Sequence, residues 1–331
     1  MKITVLGGGS WGTALAQLLC NNGHEVNLWS HTPAKAEAMQ KSRVNPLLPQ
    51  CSLHERMNIT ADIACVAGAE MLVFATPSYA MRSTAKLAAP YIADGAVLVT
   101  VSKGIEKGTY CRMSEIVRQE TEDRFPVVAL SGPSHAEEVV LGQPTGCVAA
   151  CEDKLAAEKV QDAFMNQLFR VYSSPDIVGV ELCGAMKNVA ALCCGICDGL
   201  GCGDNTAALL MTRFMTEMAR LGEAVGGTMH TFAGLAGMGD LIVTCTSRHS
   251  RNRRAGVLIG SGKPVQEAMD AVGAVVEGYY AAESAKSFAD QLGVEMPICD
   301  AVYATLYEHA DPRERLLELM QRAKREESSW I

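Results

Sequence analysis

Over the first half of the chain, short apolar runs alternate with amphipathic stretches. Lys2-Ile3-Thr4-Val5-Leu6 reads as a strand, and Thr13–Leu19 as the helix after it. Glu25–Trp29 reads as a second strand, following a helix stopped by Asn22-Gly23. Met71–Ala75, Ala96–Val101 and Val127–Leu130 read as further strands. They end in the polar loops Thr76-Pro77-Ser78, Ser102-Lys103-Gly104 and Ser131-Gly132-Pro133. Gly146–Ala150 and Phe169–Tyr172 read as late additions to the same sheet. Such alternation predicts a mainly parallel sheet covered by helices. Ligands bind such sheets at the carboxyl ends of the strands, so these loops are expected to line one crevice.

Beyond about residue 178 the strand signal fades and helical periodicity takes over, at 179–199, 204–224, 252–260, 264–272, 278–292, 298–309 and 312–325. Ser173-Ser174-Pro175 is a turn signal at the boundary. The pattern predicts a doubly wound α/β domain over 1–178 and an all-helical domain over 179–331, to which the candidate residues below assign substrate and catalysis. Arg322–Ile331 is polar enough to fray.

Gly7, Gly9 and Gly12 fall between the first strand and its helix. This is G-x-G-x-x-G in the setting that a dinucleotide site requires, and it makes the N-terminal domain Rossmann-like. The first glycine allows the tight turn. The second lets a pyrophosphate approach the backbone, and the third lets helix and strand pack closely. The helix start offers unpaired N–H groups to phosphate.

The charge balance narrows the partners. A formal net charge of −8 over 331 residues argues against nucleic acid. Phosphate on a substrate must then be met by a local cationic cluster. The fingerprint strand begins at Lys2 and is needed for the fold, so no export signal is expected. No stretch reads as a membrane span. Thirteen cysteines without an export signal suggest free thiols in a reducing, cytoplasmic setting. Cys194-Gly-Ile-Cys197, with Cys193 and Cys202 close by, has C-x-x-C spacing. A zinc or redox site would need further spaced ligands or an electropositive turn. In an apolar, small-residue helix these cysteines read as core residues, with no metal expected.

Four places carry candidate chemistry. The second strand ends in Trp29-Ser30-His31, where an NAD-selective site often has an acid for the ribose hydroxyl. Ser30 and His31, with Lys35 nearby, either accept a 2′-phosphate or are plain loop residues. The missing acid favours NADPH, or dual use of NADP and NAD. Lys187 stands amid alanine, valine and cysteine, where it either snorkels to water or points into a cleft. Burial or a cationic neighbour lowers a lysine pKa, which suits proton exchange with a carbonyl oxygen. Ser250-Arg-Asn-Arg-Arg254 precedes a helix that Ser250 can cap, and its arginines suit phosphate oxygens. A solvated basic turn is the alternative. Asp240 ends a glycine-rich run that lets backbone approach a ligand. It either orients Lys187, bonds a substrate hydroxyl, or serves a turn.

Gly7-Gly-Gly-Ser-Trp-Gly12, Asn45-Pro-Leu-Leu-Pro49, Ser102-Lys-Gly-Ile-Glu106, Ser131-Gly-Pro-Ser134, Gly184-Ala-Met-Lys-Asn-Val189, Gly237-Met-Gly-Asp-Leu241, Ser250-Arg-Asn-Arg-Arg254 and Val275-Val-Glu-Gly278 occur in this order. Together they resemble the bacterial-type NAD(P)-dependent glycerol-3-phosphate dehydrogenases over almost the whole chain. The resemblance implies reduction of dihydroxyacetone phosphate by NAD(P)H to sn-glycerol 3-phosphate, feeding phospholipid synthesis. It implies Lys187 as proton donor and acceptor. It implies substrate contacts from Lys103, Gly132, Ser134, Lys187, Asp240, Ser250, Arg251 and Asn252. Cofactor contacts are implied from Ser10, Trp11, His31, Lys103, Ala136, Arg251, Val275 and Glu277, beside Gly7, Gly9 and Gly12. It also implies a homodimer. The family often has His-Asp or Arg where this chain has His31-Thr32.

Two rival readings differ in their needs. Thiol-based double oxidation of a sugar nucleotide needs a nucleophilic cysteine with an activating base, and no such base is evident beside these cysteines. A non-catalytic nicotinamide sensor needs the glycine loop but neither Lys187 nor the arginine cluster.

Overall fold

The computed structural model describes residues 1–273, 275–324 and 326–327. Of the tail expected to fray, residues 325 and 328–331 lie outside the described residues. The chain divides into two compact units. One comprises residues 1–106 and 111–181, the other residues 107–110 and 182–331.

The first unit is built in the order β1 (Lys2–Leu6), α1 (Ser10–Asn21), β2 (Glu25–Trp29), α2 (Pro33–Ser42), β3 (Asn58–Thr60), β4 (Met71–Phe74), α3 (Met81–Ala88), β5 (Val97–Thr100), α4 (Met113–Glu120), β6 (Val127–Ser131), α5 (Ala136–Val140), β7 (Thr145–Ala150), α6 (Lys154–Phe164) and β8 (Phe169–Ser174). The strands form a sheet in the order β3-β2-β1-β4-β5-β6-β7-β8. All neighbours are parallel except β6 and β7. Leu6 lies opposite both Trp29 and Phe74, so β1, β2 and β4 end together. Strand order reverses between β1 and β4, the switch point where doubly wound sheets take ligands.

The apolar runs explain the layering. Successive side chains of a strand face opposite ways. Met71 and Val73 join a core with α1, α5 and α6, whereas Leu72 and Phe74 join a second core with α3 and α4. Both faces of the central strands are buried, which is why they read as continuous apolar runs. β3 escaped the sequence reading. With three residues it is too short to show a period of two.

The second unit continues from α7 (Ile177–Gly199), whose first residues belong to the first unit, to α8 (Asp204–Ala224), α9 (Met229–Phe232), α10 (Asp240–Thr246), α11 (Arg251–Gly260), α12 (Val265–Val272), α13 (Glu277–Leu292), α14 (Pro297–Tyr307) and α15 (Pro312–Met320). Three details depart from expectation. The glycine-rich run is itself helical: Leu235–Gly239 forms a π-helical turn leading into α10. α15 stops at Met320, short of 325. And α7 is long and apolar enough to cross a membrane by length and composition, although no such span was expected. Its most apolar window is 94% buried inside the protein.

α7 and α11 meet through paired glycines. A Cβ on Gly195 or Gly199 would strike the carbonyl oxygens of Arg253 and Val257, and one on Gly256 or Gly260 those of Leu192 and Ile196. Small residues spaced by four thus let the two backbones touch.

Candidate functional site

In the first unit the glycine loop has the geometry that its spacing predicts. Gly7 has φ +134, and a Cβ there would strike the carbonyl oxygen of Ala75, just past β4. A Cβ on Gly12 would strike the carbonyl oxygen of Gly7. Gly9 differs: a Cβ there would meet nothing within 4 Å. Gly9 is also the N-cap of α1 and supplies no side chain to the first-turn amides. Ser10 and Trp11 follow it in that first turn. The loop is held from behind. Lys35 Nζ donates to the Gly8 carbonyl at 2.8 Å, and Asn45 Nδ2 donates to the same oxygen at 3.2 Å and to Thr13 Oγ1 at 2.7 Å.

Trp11 Nε1, Thr76 Oγ1, Thr100 Oγ1 and Ser131 Oγ are buried without a hydrogen-bond partner among the described residues. They lie at or just past the carboxyl ends of β1, β4, β5 and β6. Buried polar groups usually have partners, so a row of such atoms on the ligand edge of the sheet fits a polar ligand. These groups and the open side of Gly9 suit a dinucleotide.

The neighbouring loops are ordered on one another. Ser102 Oγ donates to the Thr76 carbonyl at 2.5 Å. Lys103 Nζ donates to the Gly132 carbonyl at 3.3 Å, and Ser134 Oγ to the same oxygen at 3.0 Å. Lys103, Gly132 and Ser134 are therefore brought together. Glu106, closing its motif, instead takes two bonds from Arg82, which also bonds Glu120, and this ties α3 to α4.

Two sequence readings change here. Lys35 was noted near a candidate 2′-phosphate site, a plain loop role being the alternative; its ammonium holds the glycine loop, and burial lowers its pKa. Ser30 is buried, packed under Gly8. His31 remains exposed at the end of β2, its Nε2 3.1 Å from Thr32 Oγ1. Ala136 places its side chain in the core.

In the second unit Lys187 is 7% exposed and Asp240 fully buried. Lys187 Nζ donates to Asp240 Oδ1 and, at 2.8 Å, to Thr244 Oγ1. Thr244 Oγ1 in turn donates to the Asp240 carbonyl at 2.6 Å. Asp240 and Thr244 lie one turn apart on α10, so the helix presents both to one ammonium. Of the three roles left open for Asp240, pairing with Lys187 is the one observed. Gly237 before it serves protein packing: a Cβ there would strike the carbonyl oxygen of Phe232.

Asn188, the next residue on α7, extends the cluster. Asn252 Nδ2 donates to Asn188 Oδ1 at 3.0 Å, and Asn252 Oδ1 accepts from the Gly278 amide at 2.8 Å. Ser250 caps α11, its Oγ accepting from the Arg253 amide at 3.3 Å. Arg253 pairs with Asp198 at 2.6 Å. Arg251 and Arg254 are exposed, Arg251 opening α11. Val275 and Glu277 are half-buried beside the Gly278 turn. Both amide atoms of Asn252 thus have a partner within the protein, with capacity left for the substrate contact that the sequence reading expected of it. Asn45, Thr244 and the paired glycines of α7 and α11 were missed. Asn45 lay in a quoted motif without a role, and the glycine pairs were visible as two four-residue spacings.

Comparison with known proteins agrees with this layout. Residues 2–157 match the family model of the NAD-dependent glycerol-3-phosphate dehydrogenase N-terminus, and residues 176–317 match that of its C-terminus. The chain is 51% identical over 328 residues to the NAD(P)+ glycerol-3-phosphate dehydrogenase of Moorella thermoacetica, covering 98% of this chain and 97% of that protein. It is 48% identical to the protein of that name from Desulfitobacterium hafniense, covering 98% and 93%. The crystal structure of glycerol-3-phosphate dehydrogenase from Coxiella burnetii superposes with a TM-score of 0.93 at 37% identity, covering 97% of this chain and 99% of that one.

Proposed function

The chain belongs to the NAD-dependent glycerol-3-phosphate dehydrogenase family, and on that premise we propose that it interconverts dihydroxyacetone phosphate and sn-glycerol 3-phosphate, with Lys187 as the proton carrier. The observation that supports Lys187 most is its environment. A lysine in an apolar helix has its ammonium fixed by Asp240 and Thr244. A buried cation held by two groups is a preorganised donor, aimed at little cost when charge develops on a substrate oxygen.

Bound nicotinamide supplies the hydride that reaches C2 of the substrate. Lys187 Nζ gives its proton to the C2 oxygen in reduction and takes it back in oxidation. Asp240 orients the ammonium and stabilises its charge. Lys103, bonded to the Gly132 carbonyl, adds a second cation for the substrate's oxygens, with Ser134 beside it. Arg251 and the capped start of α11 anchor the phosphate, so that remote binding energy orients the reacting carbon. Gly7, Gly9, Ser10, Trp11, Gly12 and His31 take the cofactor, joined by the Ala136 amide, Lys103, Val275 and Glu277. NADPH is preferred, because β2 ends without a carboxylate and His31 is exposed there. With Lys35 committed to the glycine loop, that preference rests on His31. The enzyme acts as a cytoplasmic homodimer supplying phospholipid synthesis.

Lys187→Met tests this. Turnover should fall about 100-fold or more, the usual scale for a lost general acid, while NADPH affinity measured by fluorescence stays near that of the parent. Near-normal turnover in the folded variant would remove Lys187 from the reaction.

A further inference from the structure

The cysteines at the end of α7 have a geometry that the dehydrogenase reaction does not use. α7 closes in a Schellman turn. Gly201, at φ +83, donates its amide to the Asp198 carbonyl, and Cys202 donates its own to the Cys197 carbonyl, each at 3.0 Å. In this turn the side chains of the outer pair commonly meet. Here the outer pair is Cys197 and Cys202, and their thiols interact. Cys193, one turn earlier, interacts with the Cys197 sulfur as well. All three thiols are free. Cys193 and Cys197 are buried and Cys202 is half-buried.

Cys193 and Cys202 pull the Cys197 thiol below its usual pKa, against burial and the nearby Asp198 carboxylate. A cleft of about 20 Å³ reaches this cluster, walled by Cys193, Cys197, Leu210, Val302 and Leu316. That is room for about one water. Among the described residues no group of three or more His, Cys, Asp or Glu is placed to hold a metal.

We propose that Cys197 and Cys202 are a peroxide-driven, reversible disulfide site at the end of the helix that carries Lys187. The Cys197 thiolate attacks hydrogen peroxide: an S–O bond forms, the O–O bond breaks, and hydroxide leaves. Sulfur is oxidised to the sulfenic acid as peroxide is reduced. The Cys202 thiolate then attacks that sulfur, forming S–S and expelling the oxygen as water after protonation. Two thiols and one peroxide give one disulfide and two waters. Cys193 is the poorer resolving partner. Helix positions four apart hold their Cβ atoms about 5–6 Å apart, beyond the roughly 3.5–4.5 Å of a disulfide. Cys202 sits past a glycine hinge and can close that gap.

The test uses the whole reduced protein, treated with one equivalent of hydrogen peroxide, alkylated and digested with trypsin. Peptide Asn188–Arg213 carries Cys193, Cys194, Cys197 and Cys202. Mass spectrometry should show alkylation at Cys193 and Cys194, with two hydrogens lost between Cys197 and Cys202. Dithiothreitol should restore four alkylatable thiols. Cys193→Ser should still form the bond, and Cys202→Ser should leave a dimedone-reactive sulfenic acid at Cys197. Four alkylated cysteines after peroxide, or a disulfide that uses Cys193, would overturn the proposal. Neither readout depends on which substrate the enzyme reduces.

Discussion

A buried charge is tolerated only when a partner meets it. Lys187 satisfies this through Asp240, 53 positions away, and Thr244. The lysine was legible in sequence because it breaks an apolar helix. Of its partners, Asp240 was among the readings the sequence offered, but Thr244 was not, because the glycine-rich run read as a turn and concealed the π-helical start of α10. Lys35 shows the converse, a nearby cation whose ammonium is spent on a backbone carbonyl. Arg251 is the open case, exposed at the start of α11. Charge-assisted bonds to phosphate are strong, so Arg251→Ala should cost on the order of 2–5 kcal/mol in kcat/KM. A fall in kcat as well as a rise in KM is expected if that energy orients the substrate. Dihydroxyacetone lacks the phosphate, so parent and variant should use it equally poorly. Unchanged kinetics with dihydroxyacetone phosphate would make the basic turn a solvated surface.

The elements of the second unit are joined by close backbone contact and by buried caps. Gly260 meets Ile196 without room for a Cβ. Alanine gains about 1 kcal/mol over glycine in a helix, but the overpacking costs about 1–3 kcal/mol. The clash is with backbone, which cannot turn aside, so it should win. Gly260→Ala should lower the urea midpoint of unfolding; an unchanged or raised midpoint would show that α7 and α11 part easily. Glu217 joins α8 to α14 by accepting the amides of Ile298 and Cys299 at 2.7 and 3.1 Å. Burial raises its pKa to about 8, against those two bonds and Arg220. The folded state therefore holds a proton that the unfolded state releases near pH 4.5. This contribution to stability is complete below about pH 4.5 and is lost as pH rises through about 8. Across that window, unfolding free energies should fall more steeply with pH in the parent than in Glu217→Gln. Parallel profiles would show that Glu217 keeps an ordinary pKa.

At the scale of the molecule, the alternation of runs and helices marked the sheet, its parallel sense and the helical second unit, because both faces of the central strands are buried. The antiparallel step at β7 and the three-residue β3 left no such trace. The candidate site was legible where chemistry is local, in the glycine turn, the lone lysine and the arginine-rich cap. It was hidden where distant residues converge, as at Asn45 on the loop of Gly8. Whether these parts serve one reaction is tested most directly by initial rates with dihydroxyacetone phosphate, with NADPH and NADH run in parallel. The expected result is one nicotinamide oxidised per sn-glycerol 3-phosphate formed, faster with NADPH, and almost none with Lys187→Met. Tight cofactor binding without consumption of dihydroxyacetone phosphate, with either nicotinamide, would contradict it.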